Sequence, residues 1–159
     1  MSKIKIAVVG MGNCFSALYQ GFEYYKDASG DSIPGIMFGD IGGYKPSDIE
    51  VVAAFDVDKR KVGLPVGKAV FAKPNCIRVF CPSVPDGPIV QMGHILDGVS
   101  DFMLEQPEDK SFRLSDAEPV DVVQAIKDSG ADMLLNYLPV GSQEATEFYA
   151  HCAIDAIVA

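Results

Sequence analysis

The spacing of hydrophobic and polar positions changes several times along this chain, and each change marks an element. Lys3 to Val9 alternates and is rich in Ile and Val, which predicts a strand. Gly10 and Gly12 interrupt it. From Asn13 to Lys26 the residues Phe15, Leu18, Tyr19, Phe22 and Tyr25 recur at helical spacing, which predicts a helix with one buried face. Gly30, Pro34, Gly35, Gly39, Gly42, Gly43 and Pro46 then crowd one stretch, so residues 27–47 read as an inserted loop. Glu50 to Phe55 is a second predicted strand, ending just before Asp56. Between Lys61 and Gln106 short apolar pieces, Ala69 to Ala72 and Ile77 to Phe80, lie among Pro82, Pro85 and Pro88; short strands and turns are expected there. A helix is predicted from Pro119 to Ser129, opened by a capping box of Ser115 and Glu118 and closed by Gly130. Ala131 to Leu138 reads as a strand covered on both faces. Ser142 then caps a last helix with Ala145, Phe148, Tyr149 and Cys152 inward.

Strands alternating with helices imply right-handed crossovers and an α/β fold with a Rossmann-like doubly wound, mostly parallel sheet. In such sheets ligands bind beyond the carboxyl ends of the strands, where the topology switches. Gly10 to Phe15, Asp56 and Tyr137 to Ser142 would meet there.

At 159 residues, 48% hydrophobic and 22% charged, the chain suits one globular domain. The net charge of −9 argues against nucleic acid as a partner, because no cationic excess exists to displace phosphate counterions. The longest apolar run is far too short to span a membrane, and no signal-like start is present, so a cytoplasmic protein is expected. Cys14, Cys76, Cys81 and Cys152 form no CxxC pair, and His94 and His151 fall in no zinc pattern, so no metal site is expected. Serine-hydrolase and P-loop motifs are missing as well.

The chemistry that remains is anion binding at a glycine turn. Gly10 and Gly12 match the start of Gly-x-Gly-x-x-Gly, one for the turn and one for close backbone approach to a diphosphate. The helix behind them presents unpaired amides at Asn13 and Cys14. Phe15 occupies the third glycine position, where a ring is expected to hold the helix farther from the sheet. Asp56 is placed to accept the adenosine ribose hydroxyls, which favours NAD over NADP, although Lys59, Arg60 and Lys61 leave a 2′-phosphate open. The turn of Leu138, Pro139, Val140 and Gly141 would lie on the nicotinamide side. Each feature also has a plainer reading: a tight turn, a solvated strand end, an ordinary connection from strand to helix.

The stretches VVGMGNCFSALYQGFEYYKD, VVAAFDVDKRKVG, LDGVSDFM and LSDAEPVDVVQAIKDSGADMLLNYLPVGSQEATEFYAHCAIDA resemble the amino-terminal, NAD-binding part of the prokaryotic inositol-3-phosphate synthases (also called inositol-1-phosphate synthases). The resemblance spans nearly the whole chain and is weakest from Pro65 to Pro88; Phe15 stands where alanine is expected. It implies an NAD-dependent isomerase of inositol and phospholipid biosynthesis. Glucose 6-phosphate becomes inositol 3-phosphate by oxidation, enolisation, intramolecular aldol cyclisation and re-reduction. Gly10, Gly12, Asn13, Cys14, Asp56 and Leu138 to Gly141 would serve the cofactor. The resemblance further implies that catalytic lysines and most subunit contacts lie in a later domain. The sheet is then expected to be truncated at the C-terminus and the isolated chain to bind NAD weakly if at all and to be inactive, the whole enzyme being a homo-oligomer, a tetramer by resemblance. A dehydrogenase of another substrate and a non-catalytic nucleotide-binding module are the alternatives.

Overall fold

A computed structural model describes residues 3–28 and 33–159; part of the 27–47 segment therefore lies outside the described residues. Strand β1 (Ile4–Val9) leads through the glycine turn into helix α1 (Asn13–Tyr24). After a single 3-10 turn (Pro46–Asp48) the chain forms β2 (Ile49–Asp56). Then come a one-turn helix α2 (Val66–Ala69), a two-residue strand β3 (Gln91–Met92) and a short helix α3 (Asp101–Glu105). Helix α4 (Val122–Ser129), strand β4 (Met133–Asn136) and helix α5 (Gln143–Ala156) complete the described elements.

The four strands are parallel and stand in the order β3-β2-β1-β4. One face of the sheet packs Ile6, Val8, Val51 and Ala54 against Phe15 and Tyr19 of α1 and Val66 and Ala69 of α2. The other packs Ala7, Val9, Ala53 and Phe55 against Val122 and Ile126 of α4 and Tyr149 and Cys152 of α5. Alternation along β1 thus feeds two cores, which makes the sheet doubly wound. The order reverses between β1 and β4, so the switch crevice opens at Gly10 and Tyr137.

Four expectations need correction. Within 61–106, Ile77 to Phe80 forms no strand and Ala69 closes α2; the strand is β3, whose partner is the carboxyl end of β2. The last strand does pack on both cores, Met133 and Leu135 on one and Leu134 on the other, but it is shorter than expected and all three are only half-buried, because β4 is the outermost named strand; among the described residues Ala159 bonds along its far edge, to Asp132 and Leu134. Helix α4 starts at Val122, not Pro119. Asp121 is its cap, accepting the Gln124 amide at 3.0 Å, while Ser115 accepts the Ala117 amide in a turn. Pro119 to Asp121 instead run past β3, where the Val120 amide donates to Met92. Gly130 does close the helix, at φ 65°. Finally, Ser142 makes no capping hydrogen bond on α5.

Candidate functional site

The turn after β1 is built so that only glycine fits its first position. Gly10 has φ +90°, its amide donates to the Phe55 carbonyl at 2.9 Å, and an added Cβ would stand 2.7 Å from the Tyr137 carbonyl oxygen. The ends of β1, β2 and β4 are therefore drawn together at one residue. Gly12 differs. It caps α1 in an extended conformation without a side-chain cap, and a Cβ there would meet nothing within 4 Å. Among the described residues, no protein acceptor takes the amides of Gly12, Asn13, Cys14 or Phe15. The first amides of the helix, at the positive end of its dipole, are thus left without a protein partner, and Asn13 and Cys14 are exposed.

Phe15 turns its ring away from that space. It is fully buried on the sheet side of α1, with centroids 5.7 Å from Tyr19 and 6.0 Å from Tyr137. Asn13 is held by Cys76, whose amide donates to its Oδ1 at 2.8 Å while its own Nδ2 donates to Sγ at 3.4 Å. Cys14 is exposed. Cys152 is buried on α5, and burial pushes its thiol pKa up, which suits a core residue rather than a nucleophile.

The Asp56 carboxylate lies at the centre of the turn. Its Oδ1 accepts the amides of Val57 and Asp58 at 2.7 and 2.9 Å, and its Oδ2 accepts the Met11 amide at 2.7 Å. Of about four lone-pair directions on a carboxylate, three are used. The three cations that follow are all engaged. Lys59 pairs with Glu108 at 3.8 Å. Arg60 forks onto the fully buried Asp58 and donates to the carbonyls of Glu108 and Ser111. Lys61 is buried, with Nζ 2.9 Å from the Met11 carbonyl and 3.7 Å from Asp56 Oδ2.

On the far side, the Leu138 amide donates to Asn136 Oδ1 at 2.8 Å and the Ser142 amide to the Pro139 carbonyl at 3.2 Å. Val140 is fully exposed, and Gly141 takes φ +95°. The start of α5 is not free for an anion, because Asp97 fills it, accepting from the Glu144 and Ala145 amides at 2.8 and 2.9 Å. Those bonds, the Ala145 one foremost, hold its carboxyl below the usual range.

Sequence reasoning missed Asn75, Cys76 and Asp97 as site-shaping residues, and it read Lys61 only as a cation near a 2′-phosphate, not as a buried partner of Met11 and Asp56. The Leu96-Asp97-Gly98 triplet in a breaker-rich stretch was the one available signal; the others reach the turn from 45 or more positions away. A cavity of about 1150 Å³ lies elsewhere. It runs along the outer side of α1 between Leu18, Phe22, Tyr24, Phe38, Ile41 and Phe80. Among the described residues, no cluster of three His, Cys, Asp or Glu side chains can hold a metal ion, and no helix is long and apolar enough to cross a membrane.

No family model matches the chain. Known proteins do. The inositol-3-phosphate synthase of Mycobacterium tuberculosis strain H37Rv is 48% identical over 159 residues, which is 99% of this chain and 42% of that protein. The chain resembles the inositol-3-phosphate synthases along almost its full length. It spans well under half the length of those relatives. Among solved structures, the crystal structure of Ari2 superposes with a TM-score of 0.79 at 36% identity, covering 99% of this chain and 44% of that one. A myo-inositol-1-phosphate synthase-related protein from Thermotoga maritima gives a TM-score of 0.63 at 20% identity, over 95% of this chain and 44% of that one, and speaks for the fold alone.

Proposed function

We propose that this chain is the NAD-binding part of an inositol-3-phosphate synthase, acting in the cytoplasm within a homo-oligomer to convert D-glucose 6-phosphate to 1D-myo-inositol 3-phosphate. The observation that carries the cofactor half of this reading is the contrast between the two glycines. Gly10 is pressed against Tyr137, while Gly12 has open space around it at the start of a helix whose first amides have no protein acceptor. A diphosphate fits that chemistry, since amides at a helix start stabilise an anion without a cationic side chain.

In this reading Gly10 sets the turn, and the amides from Gly12 through Asn13 and Cys14 hold the diphosphate. Asp56 offers its remaining lone pair to an adenosine ribose hydroxyl, and Leu138, Pro139, Val140 and Gly141 line the nicotinamide side. Arg60 and Lys61 are tied to Asp58 and Asp56, which leaves only the exposed Lys59, loosely paired with Glu108, to meet a 2′-phosphate and favours NAD over NADP. Bound NAD supplies a reversible hydride acceptor, so the overall conversion is redox-neutral. The groups that move protons and hold the sugar phosphate belong, in this reading, to a further domain, and none is assigned to these residues.

The test is to express the full reading frame that encodes this chain, add glucose 6-phosphate and NAD, and follow inositol phosphate by phosphorus NMR. Product without net NADH is expected, and the 159-residue chain alone should give none. A folded, NAD-bound protein that makes no product would reject the synthase reading; steady accumulation of NADH would replace it with a dehydrogenase.

A further inference from the structure

Lys61 is a buried ammonium, and a charge out of water persists only where acceptors surround it. Its Nζ lies 2.9 Å from the Met11 carbonyl oxygen, 3.4 Å from Asn75 Oδ1 and 3.7 Å from Asp56 Oδ2. Asn75 comes to the same carbonyl from the turn after α2. Its Nδ2 donates to Met11 at 3.0 Å and to Val70 at 2.9 Å. Two side chains from separate turns thus converge on one backbone oxygen.

Peptide planarity gives this convergence its consequence. The Met11 carbonyl and the Gly12 amide belong to one trans peptide and point in opposite directions. Holding the oxygen inward turns the Gly12 N–H outward, toward the space beside the start of α1. Glycine at position 12 makes that peptide easy to flip, and a flip would put a carbonyl oxygen where an anion has to sit. Asp56 adds a second difficulty: its carboxylate lies directly behind the turn, in a chain of net charge −9. Lys61 cancels that charge locally.

We infer that Lys61 and Asn75 are positioning residues of the phosphate turn: together they lock the Met11–Gly12 peptide with its amide outward, and Lys61 offsets Asp56 against a bound diphosphate. This inference rests on the nucleotide reading above. It says that the two residues govern recognition of the diphosphate and leave recognition of adenosine unaffected.

The experiment is a calorimetric titration of the protein encoded by the full reading frame with NAD, ADP and adenosine, in wild type, Lys61→Met and Asn75→Ala. Wild type binds NAD and ADP more tightly than adenosine. In K61M the affinity for NAD and ADP falls roughly tenfold, as expected for losing hydrogen bonds to a charged group, while that for adenosine stays within about twofold. Asn75→Ala keeps the charge and should lose roughly threefold under the same rule, which keeps the test alive if K61M does not fold. Equal NAD affinity in wild type and both variants, or a parallel loss for adenosine, would overturn the clamp alone. A full-length wild type that binds no NAD at millimolar concentration would overturn the nucleotide reading itself, and the clamp with it.

Discussion

A methyl group on Gly10 would stand 2.7 Å from the Tyr137 carbonyl oxygen, yet one on Gly12 would touch nothing within 4 Å. Two glycines, two residues apart, therefore have different jobs, and substitution should separate them. Gly10→Ala adds a backbone clash to a φ of +90° and is expected to cost about 1–3 kcal/mol of stability from strain alone. Gly12→Ala should cost under about 1 kcal/mol, the difference between glycine and alanine at a helix cap, while its methyl group intrudes on the space the amides face. Thermal unfolding and NAD titration on both variants check this. The expected pattern is lost stability in the first and lost NAD affinity at near-native stability in the second, and the reverse would contradict the division.

Asp97 binds the first turn of α5 from 47 residues away, through the Glu144 and Ala145 amides. Its folded pKa is depressed by those bonds, so its contribution is present above the ordinary carboxylate pKa of about 3.9 and is lost as pH falls through the lowered folded value. Hydrogen exchange at Glu144 and Ala145 reads this directly. Protection should fall on acidification in the wild type and be weaker and nearly independent of pH in Asp97→Asn. Identical acid profiles for the two proteins would show that the carboxylate charge plays no part in holding α5.

How much of this was legible beforehand follows from what periodicity can carry. Phe15 to Phe22 announces a helix because it buries one regular face, and α5 was found for the same reason, whereas Ile4 to Val9 and Ala131 to Leu138 announce strands by their density of apolar residues, which β1 divides between the two cores. The doubly wound class followed from their order. Residues 61–106 resisted because their backbone is tied by long-range bonds rather than by local repetition: Gly63 donates to Val90, Val66 to Pro88, Gly67 to Asp86. A cap can likewise be supplied from a distance. Ser142 stands at the start of α5, where a local rule places the cap, and a tertiary contact gives that role to Asp97. Asp56 was legible as an acid at the end of a strand. Its bond to the Met11 amide was not, since nothing in the spacing of residues 11 and 56 encodes it.

Tyr149 anchors α5 beneath β3. Its ring is buried 6.2 Å from Phe55, and its hydroxyl accepts the His94 amide at 3.1 Å. Burial pushes its pKa up to about 12, and burial does the same for Tyr19 under α1. Both folded values lie above the ordinary tyrosine pKa of about 10. Their stabilisation is therefore complete below pH 10 and is lost as pH rises toward 12, because the unfolded chain sheds these protons first. A shift of this size in Tyr149 amounts to about 2–3 kcal/mol across that window. Tyr149→Phe removes one titrating group at the cost of an unpaired His94 amide, about 1 kcal/mol at neutral pH. Urea unfolding at a series of pH values should show the variant less stable at pH 8 and its midpoint falling less steeply between pH 10 and 12. Parallel curves would mean that the Tyr149 hydroxyl titrates no differently in the folded and unfolded chain.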